Sequence, residues 1–501
     1  MRRTGSASSL ALLLAVLTAV LAAPPLAGAV PVPAEPIPEG PEANDPPAFQ
    51  GAPARPRPVS AQLAPRHPFM APNGLSNIHD DAYMSGSYTG PGPLGTNMER
   101  RSTFQVAECA SVTFDRAGRI VSICVGLERP RVVMFDPHTL DKLAEFPLPP
   151  RQPSAGNPFN DFSGGGYFYL DHLDRAVIPT NHRHIWVVGE TSGPLGPGFA
   201  LERDYDLSGV TAIDDKLFSV LPDWSGRLWF ISQKGVVGTI NPTSGVIRTL
   251  NLGEQITNSF SVDESGGVYI VSDAALYRFD AGAGGAPAVT WREVYPNSGI
   301  HKPGQSGPGS GTTPDVMGSD YVAIADNADP MQVVVYKRAK TVTGSRLVCA
   351  QPVFSPGAGA TDNSLITTDR SIVVENNYGY SGLTATMQGS TTTPGFERVD
   401  INSDGVGCKT RWRNSKERAP SVVPKLSLAT GLIYAYTKPV TANSTDPWYF
   451  TAIDFRSGQR IYRRLAGTGL GFNNNWAPVT LGPDGTAYVG ALGGLVLLRD
   501  R

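Results

Sequence analysis

The chain is short of charge, of cysteine and of long apolar stretches. Charged side chains make up 17% of the 501 residues, and 42 basic against 44 acidic ones leave a net charge of −2. No chain-wide basic field exists, which excludes a general binder of nucleic acid or anionic membrane. Four cysteines are too few for a disulfide-dense scaffold. Beyond the first 29 residues no run is long and apolar enough to span a bilayer. Glycine and proline are plentiful instead, at 55 and 44 residues, and they punctuate many short strands and turns. A hydrophobic share of 41% is ample for a core, so disorder is excluded for most of the chain.

The N-terminus reads as a cleavable secretory signal over residues 1–29. Arg2 and Arg3 give a positive start, Leu10 to Ala23 is apolar, and Ala27-Gly28-Ala29 supplies the small cleavage residues. The mature protein is expected outside the cytoplasm, with no membrane span. Residues 30–68 are dense in proline, and such composition predicts an extended, disordered linker. Residues 69–501 are expected to form one domain.

Within that domain one pattern recurs. Ala110-Ser-Val-Thr-Phe-Asp-Arg-Ala-Gly-Arg-Ile-Val is echoed by Phe260-Ser-Val-Asp-Glu-Ser-Gly-Gly-Val-Tyr-Ile-Val and by Ala477-Pro-Val-Thr-Leu-Gly-Pro-Asp-Gly-Thr-Ala-Tyr. Alternation with a period of two and turn punctuation fit these runs; helical spacing does not. Strand-end positions at Asp136, Asn241, Asp280, Tyr336, Asp400, Asp454 and Asp500 mark the units. Gly166–Glu202 supplies one more, with Ile185-Trp-Val-Val as its clearest strand. Eight units over 104–501 average about 50 residues each, the signature of an all-β β-propeller. Seven blades are the alternative, and they would leave one marker without a unit. A ring of this kind closes on an N-terminal strand, for which Asp80–Tyr88 is the expected segment.

Ala452-Ile-Asp454-Phe-Arg-Ser457-Gly458-Gln-Arg-Ile-Tyr462 resembles the tryptophan-docking motif of quinoprotein-type (PQQ-like) β-propellers, with tyrosine in place of tryptophan. Asp136-Pro-His-Thr139 and Asn241-Pro-Thr-Ser-Gly245 are weaker copies. Ala477 to Gly490 resembles the inner-strand repeat of the same family. The resemblance covers most of 104–501 and implies the fold. It does not imply the chemistry, because the same repeat serves scaffold proteins without a cofactor. Quinoprotein alcohol dehydrogenases of this family carry adjacent cysteines in a vicinal disulfide. No two cysteines are adjacent here, which argues against PQQ.

Cys109 and Cys124 flank the turn Asp115-Arg-Ala-Gly118. A two-residue hairpin closed by 115 and 118 sets them opposite each other, at a separation a disulfide bridges. Cys349 and Cys408 remain, and are expected to pair between neighbouring blades. Asp400, Asn402 and Asp404 alternate ahead of Gly405, like the opening of a calcium loop, with the Val406 carbonyl as a further ligand. Arg411 stands where an EF-hand has its bidentate glutamate, so calcium here is an expectation without a complete ligand set. In propellers the first residues of the innermost strands converge on the channel mouth. Those positions carry Glu108, Asp161, Asn258, Asp315, Asn363, Arg418 and Asn475, beside Phe162, Phe260 and Trp476. A ring of amides and carboxylates with aromatic walls suits a small polar molecule or a glycan. A cell-envelope protein partner is the other binding expectation, and the alternative is an enzyme on the same scaffold, a metal-assisted hydrolase, lyase or isomerase, with a quinoprotein oxidoreductase behind these. The oligomeric state is not readable.

Overall fold

The computed structural model describes residues 30–40, 46–127, 129–151, 164–442 and 445–501. The expected signal segment, Asp161 and Phe162 lie outside the described residues. Eight sheets of four core strands follow one another along the chain, spanning 108–147, 169–206, 217–251, 261–294, 315–352, 366–414, 425–468 and 479–499. Numbered blades 1 to 8 in that order, they form an eight-bladed β-propeller. Middle strands such as Leu228–Ser232 and Val236–Ile240 are buried at every residue, because neighbouring blades cover both faces. They therefore read as continuous apolar runs, whereas the outer strand Ile247–Asn251 faces solvent and is mixed.

Blade ends repeat one turn. The side-chain oxygens of Asp136, Asn241 and Asp454 each accept the backbone N–H groups two and three residues further on, a local bond that favours a turn over continued strand. Tyr462, the docking-motif aromatic, is fully buried and stacks on Phe49 with ring centroids 5.6 Å apart. Its hydroxyl donates to the Pro93 carbonyl at 2.6 Å.

Two N-terminal segments depart from expectation. The ring is closed by Glu99–Phe104, which pairs antiparallel with Gly494–Arg499 as the outer strand of blade 8. Asp80–Tyr88 cannot be that strand, since Asp80, Met84 and Gly86 have φ of 88°, 62° and 63° and break any extended run. Residues 70–88 instead cross the central channel as a plug. Backbone carbonyls of Leu75, Ser76, Ala82, Tyr83, Ser85 and Gly86 accept N–H groups from the innermost strands of blades 1, 2, 4, 5, 6 and 7. Ser87–Tyr88 then pairs parallel with the inner strand of blade 7.

The described part of the proline-rich stretch is not a free spacer either. Val32 bridges to Lys142, Ile37 is buried, and Phe49–Gly51 adds an outer strand to blade 7. The Arg57 and Val59 N–H groups bond carbonyls of the same blade at 2.8 Å. Composition foretold an extended backbone, and the propeller's outer surface supplies partners for it.

Both disulfides form, Cys109–Cys124 and Cys349–Cys408, the second joining the outer strands of blades 5 and 6. The register behind the first differs in detail from the hairpin expected. Asp115 closes on Arg119, a three-residue loop, and a β-bulge between Cys109 and Ser111 then brings the two cysteines opposite each other.

Candidate functional site

The plug divides the channel into a buried hub and an open funnel. In the hub, at the level of the plug, Asp80, Asp81, Asp315, Glu375 and Lys425 are withdrawn from solvent. Burial lowers the Lys425 ammonium to about 8, and the four carboxylates act against that fall. Burial likewise raises Glu375 to about 8 and pushes Asp80 and Asp315 well above the usual carboxylate range. Carboxyls and ammonium in a low-dielectric site thus tend towards their neutral forms unless they neutralise one another.

The funnel is a cavity of about 440 Å³ at the mouth of the channel. Its floor includes Ile78 and His79 of the plug. Its wall takes Glu108, Asn258, Asn363, Asn475 and Trp476, five of the positions expected from the starts of the inner strands. Asp362, Ser364, Tyr167 and Thr257 also line it. The upper wall and rim are apolar, with Val106, Leu127 and Leu470 at 74%, 66% and 53% exposure. Trp476 holds a left-handed φ of 67°, a conformation that costs a bulky residue energy and is retained where surroundings impose it. It meets Tyr380 edge to face, with centroids 5.2 Å apart. Trp476 also borders a second cavity of about 310 Å³ that holds Lys302, Gln305 and Ser306.

Not every predicted residue reaches the funnel. Asp315 lies in the hub, facing Lys425. Arg418 is half-buried away from the cavity and donates to the Thr392 carbonyl. Phe260 is core. His79 and Asp362 were the less obvious members. His79 follows no strand pattern because it arrives on the plug, and Asp362 sits inside the amide-rich run 361–364.

The amides of the funnel are largely committed to the fold. Asn258 donates to the carbonyls of Gly311 and Asp362, while its oxygen accepts from Thr313, Tyr167 and the Ser259 N–H. An amide has two donors and two lone pairs, so Asn258 has nothing left for a ligand. Asn363 likewise donates to Glu375 and to the carbonyls of Ser421 and Val422, tying blade 6 to blade 7. Asn475 gives its backbone N–H to Glu108 Oε1 at 2.8 Å and accepts the Tyr380 hydroxyl at 2.8 Å.

Glu108 is different. It begins the inner strand of blade 1, next to the disulfide that pins Cys109 to Cys124. Only 7% of it is exposed, and burial raises its carboxyl to about 8 against the single N–H from Asn475. Asp362 accepts Ser306 N–H and Oγ on one oxygen, and burial raises it to about 7. His79 Nε2 lies 3.3 Å from Ser364 Oγ, and burial keeps its imidazole neutral, well below the usual range.

The calcium-type sequence lies on the rim of blade 6, far in the fold from these groups. Arg398 and Arg411 hold the Asp400 carboxylate at 2.8 and 2.9 Å. The Asn402 amide donates to the Val406 carbonyl, and Asp404 accepts the Val406 N–H. The donors that the spacing offered are thus shared among two arginines and a tight turn. Among the described residues no group of three His, Cys, Asp or Glu side chains is gathered for a metal.

No protein-family profile matches the chain. A curated Archaeoglobus fulgidus protein described as uncharacterised is 26% identical over 318 residues, which are 57% of this chain and 61% of that protein. The chain thus spans less than two thirds of this relative's length. Among solved structures, BamB from Moraxella catarrhalis is 12% identical with a TM-score of 0.48, covering 81% of this chain and 97% of that one. A streptogramin B lyase is 10% identical with a TM-score of 0.39, covering 80% and 98%. These are likenesses of fold alone.

Proposed function

We propose that this is an exported propeller that binds a small organic ligand in the blind funnel at its channel mouth. One observation carries the reading: a cavity of about 440 Å³ with apolar upper walls, closed from below by the plug. Sites for small molecules are concave and mainly apolar, with a few polar groups that fix orientation. Because Asn258 and Asn363 are spent on the fold, the apolar wall gives most of the affinity, and the ligand has an apolar body rather than a sugar's hydroxyl coat. Export is supported by the N-terminal sequence and by two disulfides, which persist in oxidising compartments.

A neutral fluorescent probe, N-phenyl-1-naphthylamine, tests this. It is expected to bind with one-to-one stoichiometry and to lose affinity about tenfold in Trp476→Ala and in Leu470→Asp, the effect of losing one well-packed contact. Unchanged affinity in both variants rejects the funnel as the site.

The His79–Ser364 contact favours a second reading, a hydrolase. A neutral imidazole beside a hydroxyl is the arrangement of a base and its nucleophile. The expected result is labelling of Ser364 by a fluorophosphonate, lost in Ser364→Ala and slowed in His79→Gln. An unlabelled Ser364 in folded protein rejects it.

A further inference from the structure

We infer that the funnel selects organic ammonium ions, molecules with an apolar body and one protonated amine that meets Glu108. The inference rests on the funnel as the binding site and names the chemistry of its ligand.

The argument begins with what Glu108 lacks. Its Oε1 accepts one backbone N–H, from Asn475. Among the described residues no hydrogen bond reaches its Oε2, and the side chain lines the cavity. No arginine, lysine or histidine forms an ion pair with Glu108 among the described residues. A carboxyl at least nine-tenths buried normally finds a cation or several donors, because an isolated charge in a low-dielectric wall is costly. The other acidic side chain lining the funnel, Asp362, also has no basic partner.

The remaining charged and titratable groups around Glu108 do not change this balance. Tyr380 approaches it and is itself raised by burial and by the Glu108 carboxyl. His79 on the floor is neutral, and Tyr167 is a neutral phenol. Arg151 lines the same cavity. The contrast with the hub is direct: there Lys425 is built in among the acids, whereas in the funnel no basic side chain is paired with Glu108 among the described residues.

The cavity walls suit the rest of such a molecule. The indole of Trp476 and the phenol of Tyr167 line the cavity, and aromatic rings attract a cationic head; Val106, Leu127 and Leu470 offer apolar surface to the body. An ammonium bound at Oε2 would complete a charge-assisted hydrogen bond inside an enclosed site, where such bonds are strongest.

The test is calorimetric titration of the full exported protein with 4-phenylbutylamine and, separately, 4-phenylbutanol at pH 7.5. The two share an apolar body and differ in the head. The amine is expected to bind at least about tenfold more tightly, the effect of one hydrogen bond to a charged group. Glu108→Gln keeps the acceptor for Asn475 and is expected to bring amine and alcohol within twofold of each other. Equal affinities for amine and alcohol in the wild type, or no binding of the amine, overturn the inference. Failure of the neutral probe to respond to Trp476→Ala and Leu470→Asp overturns the funnel itself, a separate result.

Discussion

At the level of the plug, Lys425 stands among Asp80, Asp81, Asp315 and Glu375; on the open side, Glu108 faces the funnel with one backbone N–H for company. Both regions bury carboxyls, and both shift them in the same direction. The hub places a cation among its acids, on the inner strand of blade 7, and one of those acids accepts from two asparagines, although Lys425 Nζ and both Asp315 oxygens have no hydrogen-bond partner. No basic side chain is paired with Glu108 among the described residues, and Glu108 lines an apolar cavity. Buried charge enclosed with an opposite charge belongs to the architecture; a buried carboxyl that lines a cavity is available to a partner.

The largest test of that contrast removes the hub's cation. Lys425→Met leaves the surrounding carboxyls without a counter-charge and should cost about 3–5 kcal/mol in chemical unfolding, the range for breaking a buried pair. A loss below about 1 kcal/mol would mean the hub acids are neutral and indifferent to Lys425.

Asn363→Ala is next. It strips three acceptors of their donor between blades 6 and 7, and should cost ~1–3 kcal/mol. Probe affinity in the funnel should stay within twofold, because the side-chain N–H groups are already donated within the fold. A large fall in affinity with intact stability would return Asn363 to the ligand.

A third effect, spread over several pH units, is read through pH. The Glu108 carboxyl is raised from 4.5 to about 8 in the folded protein, so the native state holds the proton more tightly than the unfolded chain. Its stabilising contribution is full below the unfolded value and is lost as pH rises through the folded one. Between about pH 5 and 8 wild-type stability should therefore fall relative to Glu108→Gln, by at most about 1.4 kcal/mol per pH unit. Denaturant melts of the two proteins at pH 5, 6.5 and 8 measure the divergence. Parallel curves would show that Glu108 is ionised in the native state, with a partner of its own.

Legibility in the sequence followed the range of the interactions. Blade repeats are local hairpins, so alternation, Asx turns and the positions of Asp136, Asn241 and Asp454 exposed them. The Cys109–Cys124 pair was legible for the same reason, even though a bulge rather than a two-residue loop aligns the two; Cys349–Cys408 crosses between blades and was expected only as the remaining pair. The rule that inner strands begin at the channel mouth placed Glu108, Asn258, Asn363, Asn475 and Trp476 on one cavity. It misplaced Asp315, which faces Lys425 in the hub instead. The plug was not legible. Its bonds run from carbonyls within a dozen residues to strands of six different blades, and no periodicity records them. Gly86 within Asp80–Tyr88 was the available sign that this segment was no strand. Nor could composition separate amides that bind ligands from amides that tie blades together; Asn258 and Asn363 needed their partners to be seen.

The most direct measurement is a crystal structure of the protein soaked with N-phenyl-1-naphthylamine. The account predicts density for the aromatic rings inside the funnel, between Trp476 and Leu470, with the plug residues 70–88 in place beneath it. Density elsewhere on the propeller with the funnel empty, or a channel open from end to end, would contradict it.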